Sequence, residues 1–298
     1  MSATNADVPV LVAPAPTARR RAGNFRRLLW RRRVAATGLV VVVILIIAAL
    51  TAPFITPYSY HLISYNAILA NPSPQHIFGT DGLGRDIYTR VIYSYQVSLL
   101  VAAGSVGLAL LIGVPLGLLA AYWGGLADTL LMRLVDILLA FPAILLAICL
   151  IAILGQGLGV MIIAIAIVYV PILARVLRGS VLSIKSAAYV EGARARGAGH
   201  LRLMLRHVLP NSIGPTLVQA TLLLAFAIQI EAGLSFLGLG VQPPTPSLGY
   251  MLQENYQYIS QSPWGMLFPC LGIAIAVLGF NLLGVGVRDL LDPRGKAR

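Results

Sequence analysis

The sequence predicts an all-α membrane protein built on six transmembrane helices. Of its 298 residues 58% are hydrophobic and only 11% charged, too little charge to cover a water-facing surface. Six stretches stay apolar for the roughly 20 residues that a helix needs to cross a bilayer core. The basic residues collect on one side of those stretches, as expected when Lys and Arg resist translocation.

Residues 1–33 read as a basic cytoplasmic tail. Arg19, Arg20, Arg21, Arg26, Arg27, Arg31, Arg32 and Arg33 lie in it, and its first 24 or so residues, rich in Pro and small side chains, have no core to bury and are expected to be largely mobile. Residues 34–52 form the first span. Their length and the long charged stretch before them argue against a cleaved leader. Residues 53–96 are an extracytoplasmic segment, too long for a mere connector. A five-helix core occupies residues 97–294, with spans expected at 97–122, 130–154, 160–177, 213–241 and 266–287, and residues 295–298 are a second cytoplasmic tail. Arg175, Arg178, Lys185, Arg194, Arg196, Arg202 and Arg206 mark the region between spans four and five, and Arg288, Arg294, Lys296 and Arg298 follow span six. The outer loops carry only Arg85 and Arg90 as basic residues. Six crossings with this bias put both termini inside.

The net charge of +12 does not point to nucleic acid, because the cations adjoin spans and lack interleaved stacking aromatics. Cys149 and Cys270 fall within spans and read as small apolar side chains. His61, His76, His200 and His207 have no compact ligand spacing, so no metal site is expected.

The loop at 185–212 is the most polar stretch of the core. Gly179 and Ser180 are expected to end span four, and Leu209-Pro210 to end the loop, since proline lacks a backbone donor. Two short helices fit between. In the first, Glu191, Gly192, Ala193 and Gly197 give a small-residue surface that another chain can approach. In the second, Leu201, Met204, Leu205 and Val208 recur at i, i+3, i+4 and i+7 and predict one apolar face of an interfacial helix.

The spacing Glu191-Gly192-Ala193, three residues, Gly197, nine residues, His207-Val208-Leu209-Pro210 resembles the EAA loop of ABC importer permeases, EAA-x3-G-x9-I-x-LP. Gly192 stands at the second position and His207 at the Ile position. The resemblance implies a type I ABC importer permease fold in which a coupling helix, here around Tyr189, Glu191, Gly192, Ala193 and Gly197 and closed by Leu209 and Pro210, inserts into a groove on a cytoplasmic ATPase. No Gly-Lys-Ser/Thr occurs, the only lysines being Lys185 and Lys296, so ATP chemistry must sit on another chain.

The outer segment contains a run from Phe78 to Arg90, FGTDGLGRDIYTR. Its glycines, Gly79, Gly82 and Gly84, permit tight turns, and Asp81, Arg85 and Asp86 can pair locally. Gly79-Thr80-Asp81, Gly84-Arg85-Asp86 is similar to the GTDxxGRD signature of the C-type permease subunit for dipeptides, oligopeptides or nickel. The runs at 132–142, 231–249 and 280–294 also look like that subfamily, so the resemblance extends over about 34–294. It implies a homologous second permease, two ATPase subunits that bind ATP and Mg, and an extracytoplasmic solute-binding protein, in a bacterial cytoplasmic membrane. No cofactor is implied on this chain. Nickel or another small solute is the alternative cargo.

Three charges fall within spans and need partners, water or an interface. Arg133 and Asp136, at i and i+3, are expected to pair. Glu231, with Ser235 and Gly238 on its face, should look into the bundle and accept hydrogen bonds from a neighbouring helix, ahead of contacting a substrate amine. Gly113 and Gly117 permit close helix packing, and Pro115 is a candidate kink. An ion-coupled carrier is disfavoured, because Asp136 and Glu231 are too few for a relay. A membrane enzyme lacks any acid-base or nucleophile constellation.

Overall fold

The computed structural model describes residues 33–291, with the backbone alone at Arg33. The two basic tails therefore lie outside the described residues, apart from the start of the first helix. Among the described residues the elements are helices and one isolated bridge. Helix α1 (Arg33–Ile55) leads through the outer segment to α2 (Ile87–Trp123), followed by α3 (Gly125–Leu139), α4 (Ala143–Leu154) and α5 (Leu158–Ile184). The polar loop supplies α6 (Ala188–Ala195) and α7 (His200–Arg202), and a π turn (Leu203–Val208) runs into α8 (Leu209–Phe236). An outer helix α9 (Leu248–Asn255) precedes α10 (Trp264–Leu291).

Helices α2 and α5 pack together along much of their lengths. A Cβ on Gly113 would stand 2.9 Å from the Val170 carbonyl oxygen, and one on Gly117 would strike that of Ala174. The two glycines thus set the close approach expected of them. Helix α2 runs unbroken through Pro115. The main core gathers Val101, Val106, Ile165, Tyr169, Leu173, Ile228 and Leu234 among others, with α1 and α10 closing one flank.

Several expectations are corrected. Span three is not straight: α3 and α4 meet at 91°, because Phe141 precedes Pro142 and a residue before proline is pushed out of the helical region. The pair still carries the chain along the bundle. Near its start, Lys185 at the end of α5 donates to the Ala121 carbonyl at 2.8 Å; past its end, Gln156 before α5 donates to Gly238 at 3.3 Å. Since α5 has 27 residues and is about 40 Å long, α3 and α4 together make one crossing, which brings the count to six.

Gly179 and Ser180 do not end span four. Burial of Leu177 and Val181 carries α5 on to Ile184, outweighing the helix penalty of about 1 kcal/mol for an interior glycine. Pro210 does not terminate a helix either. It sits in the first turn of α8, where its missing N–H is no loss, and the π turn joins α7 to α8 without a break. That turn also resets the side-chain phase: Leu203, Met204 and Val208 are buried, while Leu201 and Leu205 are exposed, so the four-residue apolar face expected from α-helical spacing is split. Span two begins ten residues earlier than its apolar window. Asp86 caps it by accepting from the Thr89 N–H at 2.8 Å, and its polar first turns are buried against the outer segment. Span five ends at Phe236 rather than at 241.

Candidate functional site

The outer end of the bundle is organised by carboxylates. From Thr80 to Asp86 the chain folds back on itself, with an antiparallel bridge between those two residues and a tight turn from the Gly84 N–H to the Asp81 carbonyl, 2.9 Å. Gly84 has φ +74°, and a Cβ there would run into the Ser64 carbonyl, so this turn accepts only glycine without strain. A Cβ on Gly82 would meet the Tyr258 ring. Asp81 accepts from the backbone N–H groups of Leu83 and Arg85 at 2.9 Å each, and from Arg85 Nε at 2.8 Å. It also accepts from Arg90 Nη1. Both guanidinium groups then reach Glu254 of α9, each at 2.8 Å.

Two carboxylates and two guanidinium groups form a closed quartet. It ties the outer turn and the start of α2 to a helix more than 160 residues away in sequence. Asp81 and Arg90 are each only 1% exposed, and burial alone would favour neutral Arg85. Asp81 and Glu254 overcome that and hold its pKa above the usual guanidinium value. Asp86 is engaged twice, as the α2 cap and as acceptor to His76 Nδ1 at 2.9 Å. Thr80 is fully buried; its hydroxyl donates to Ala67 and accepts from the Ala70 N–H at 2.8 Å. Gly79, Thr80, Asp81, Gly84, Arg85 and Asp86 are thus brought together as one buried unit. Sequence reasoning missed Glu254 and the role of Arg90. Charge balance could have found them: beyond Asp81 and Asp86, Glu254 is the remaining acid between the predicted outer ends of the spans.

Glu231 is fully buried in α8. Ser98 of α2 donates to its Oε2 and Ser235 to its Oε1, both at 2.9 Å. The polar face does look into the bundle, and its carboxylate bridges two helices. The expected pairing of Arg133 with Asp136 is overturned. Asp136 pairs with Arg175 of α5, and Arg133 is exposed with no ion pair among the described residues. Helix α3 lies against α5, so guanidinium groups from the neighbouring helix arrive at its acids; Arg178 likewise makes a two-pronged contact with Asp128, 2.6 Å per arm.

At the opposite end, α6 lies on a small second core. Val190 and Ala193 are buried against Leu118, Ala121, Leu177, Val181, Leu203 and Val208. Tyr189, 46% exposed, together with Glu191 and Arg194, faces outward. Gly192 is half-buried. Gly197 has open space around it but φ +80°. Its N–H bonds the Arg194 carbonyl at 2.9 Å and the next N–H, of Ala198, bonds that of Ala193 at 3.2 Å. It is therefore a left-handed helix terminator, and the space beside it is open. Leu209 and Pro210 lie in the first turn of α8, at the far side of the same second core.

The architecture is a six-crossing helical bundle with a short helix between crossings four and five that leaves one face exposed. The chain belongs to the family described as "Binding-protein-dependent transport system inner membrane component", matched over residues 113–296, and residues 22–72 match "N-terminal TM domain of oligopeptide transport permease C". The family likeness thus begins inside the basic tail, earlier than residue 34 as expected from the motifs. The dipeptide transport system permease protein DppC of Alkalihalophilus pseudofirmus is 47% identical over 249 residues, 84% of this chain and 82% of the relative. The glutathione transport system permease protein GsiD of Pectobacterium atrosepticum is 42% identical over 250 residues, 84% and 83% of the two chains. Among solved structures, a chain of the MetNI methionine ABC transporter superposes with a TM-score of 0.57 at 21% identity, covering 68% of this chain and 96% of that one. That likeness establishes the fold.

Proposed function

We propose that this chain is one half of the membrane pathway of an ATP-binding-cassette importer for dipeptides or oligopeptides. The observation that carries the reading is α6: two buried side chains seat it on the ends of α2 and α5, while Tyr189, Glu191 and Arg194 are left for a partner. Force applied to such a helix is transmitted to spans two and four through Val190 and Ala193, because packed cores shift between discrete arrangements rather than deform smoothly. The partner is an ATPase that supplies ATP and Mg, as the EAA spacing implies. A second, homologous permease completes the pathway, and an extracytoplasmic binding protein delivers cargo over the rigid outer turn. Both termini then face the cytoplasm, as the distribution of basic residues favours. Peptide cargo is favoured over nickel by the names of the relatives.

The test is purification of this chain from its native membrane with identification of what accompanies it, followed by uptake of labelled di- and oligopeptides into vesicles holding the complex. A second permease, ATPase subunits and ATP-dependent peptide uptake support the reading. Nickel uptake selects the sister function, and uptake without any ATPase overturns the coupling role of α6.

A further inference from the structure

We propose that the outward face of α7 and the π turn binds the anionic headgroups of membrane phospholipids. Where α-helical spacing predicted one apolar face, the π turn leaves Leu201 and Leu205 exposed, 66% and 52%, beside the exposed Arg202 and Arg206. Neither arginine has an ion pair or hydrogen bond among the described residues, in contrast to Arg175 and Arg178 nearby on α5.

The depth of this face is set by its neighbours. The Tyr122 hydroxyl contacts His200 Nδ1 at 2.9 Å, and the Trp123 ring lies 5.3 Å from the His200 ring. Tyr and Trp at the end of a span are the side chains that favour the headgroup level. Leu201, the residue after His200, therefore sits near the level of these aromatic side chains. Leucines at this depth reach the acyl boundary, and arginines extend to phosphate, each contributing about 1 kcal/mol on an anionic surface. The contact is separate from α6, whose outward side chains are Tyr189, Glu191 and Arg194.

The experiment uses the full chain, purified in neutral detergent and offered phosphatidylglycerol or phosphatidylcholine, with bound lipid counted by native mass spectrometry. The expected result is a preference for phosphatidylglycerol that falls about tenfold or more in the double variant R202Q/R206Q and is kept in R202K/R206K, at the contribution per cation given above. The lysine variant guards against loss by misfolding. An unchanged preference in R202Q/R206Q overturns the proposal. So does loss of ATPase copurification in that variant with lipid preference intact, which would make the face a protein contact.

Discussion

The two ends of this bundle use charge in opposite ways. At the outer end the buried Asp81, Arg85 and Arg90 and the half-buried Glu254 spend their charges on one another. At the other end α6, α7 and the π turn carry Glu191, Arg194, Arg202 and Arg206 exposed, with no ion pair among the described residues. A closed network holds a shape; an open one is available to something else. The GTDxxGRD motif is therefore a brace for the loop and the start of α2, whereas the EAA-like segment is a surface.

If that contrast is right, its sharpest test is Asp81→Ala, which strips a carboxylate from two buried guanidinium groups. A broken buried pair costs about 3–5 kcal/mol, so the variant should lose most of its thermal stability in detergent; a melting temperature close to the parent's would mean the quartet holds nothing. Glu231→Leu comes next, since it leaves Ser98 and Ser235 as buried donors without their acceptor, at about 1–3 kcal/mol. Equal stability of that variant would show that Glu231 is kept for transport rather than for bridging α2 and α8. Asp86→Ala removes a helix cap, with an expected loss of about 1 kcal/mol.

The open end contributes one moderate and one small effect on stability. Gly197→Ala forces a side chain into a left-handed conformation and should cost about 1–2 kcal/mol, yet reduce ATP-dependent uptake much further by unwinding the end of α6. Glu191→Ala touches no buried partner, so a change within about 0.5 kcal/mol is expected together with weakened ATPase copurification. Should Glu191→Ala leave both copurification and uptake unaltered, the division between brace and docking surface would collapse.

Much of this was legible in the residues themselves. Apolar run length is a local property, so the helical class and the approximate spans could be read from it. The outer turn was also legible, because Gly84, Asp81 and Arg85 lie within four residues of one another and local pairing needs no fold. The 91° break in span three was written in Phe141-Pro142, although a hydropathy window averages over it. The errors cluster where distant chain meets. Asp136 was assigned to Arg133 because they are neighbours on one helix; packing of α3 on α5 brought Arg175 instead.

The sequence by itself determined that the chain lives in a bilayer and where its two motifs lie. Periodicity, composition and spacing are properties of short segments, and those conclusions need nothing more. Only the tertiary structure decided that Glu254 closes the outer quartet, that Ser98 shares Glu231, and that Gly197 ends α6 in a left-handed conformation. The same holds for the π turn, which directs Leu201 and Leu205 outward while Leu203, Met204 and Val208 fill the second core. Each of these depends on which side chains from separated helices reach the same point, and that is set by packing, which a linear pattern does not encode.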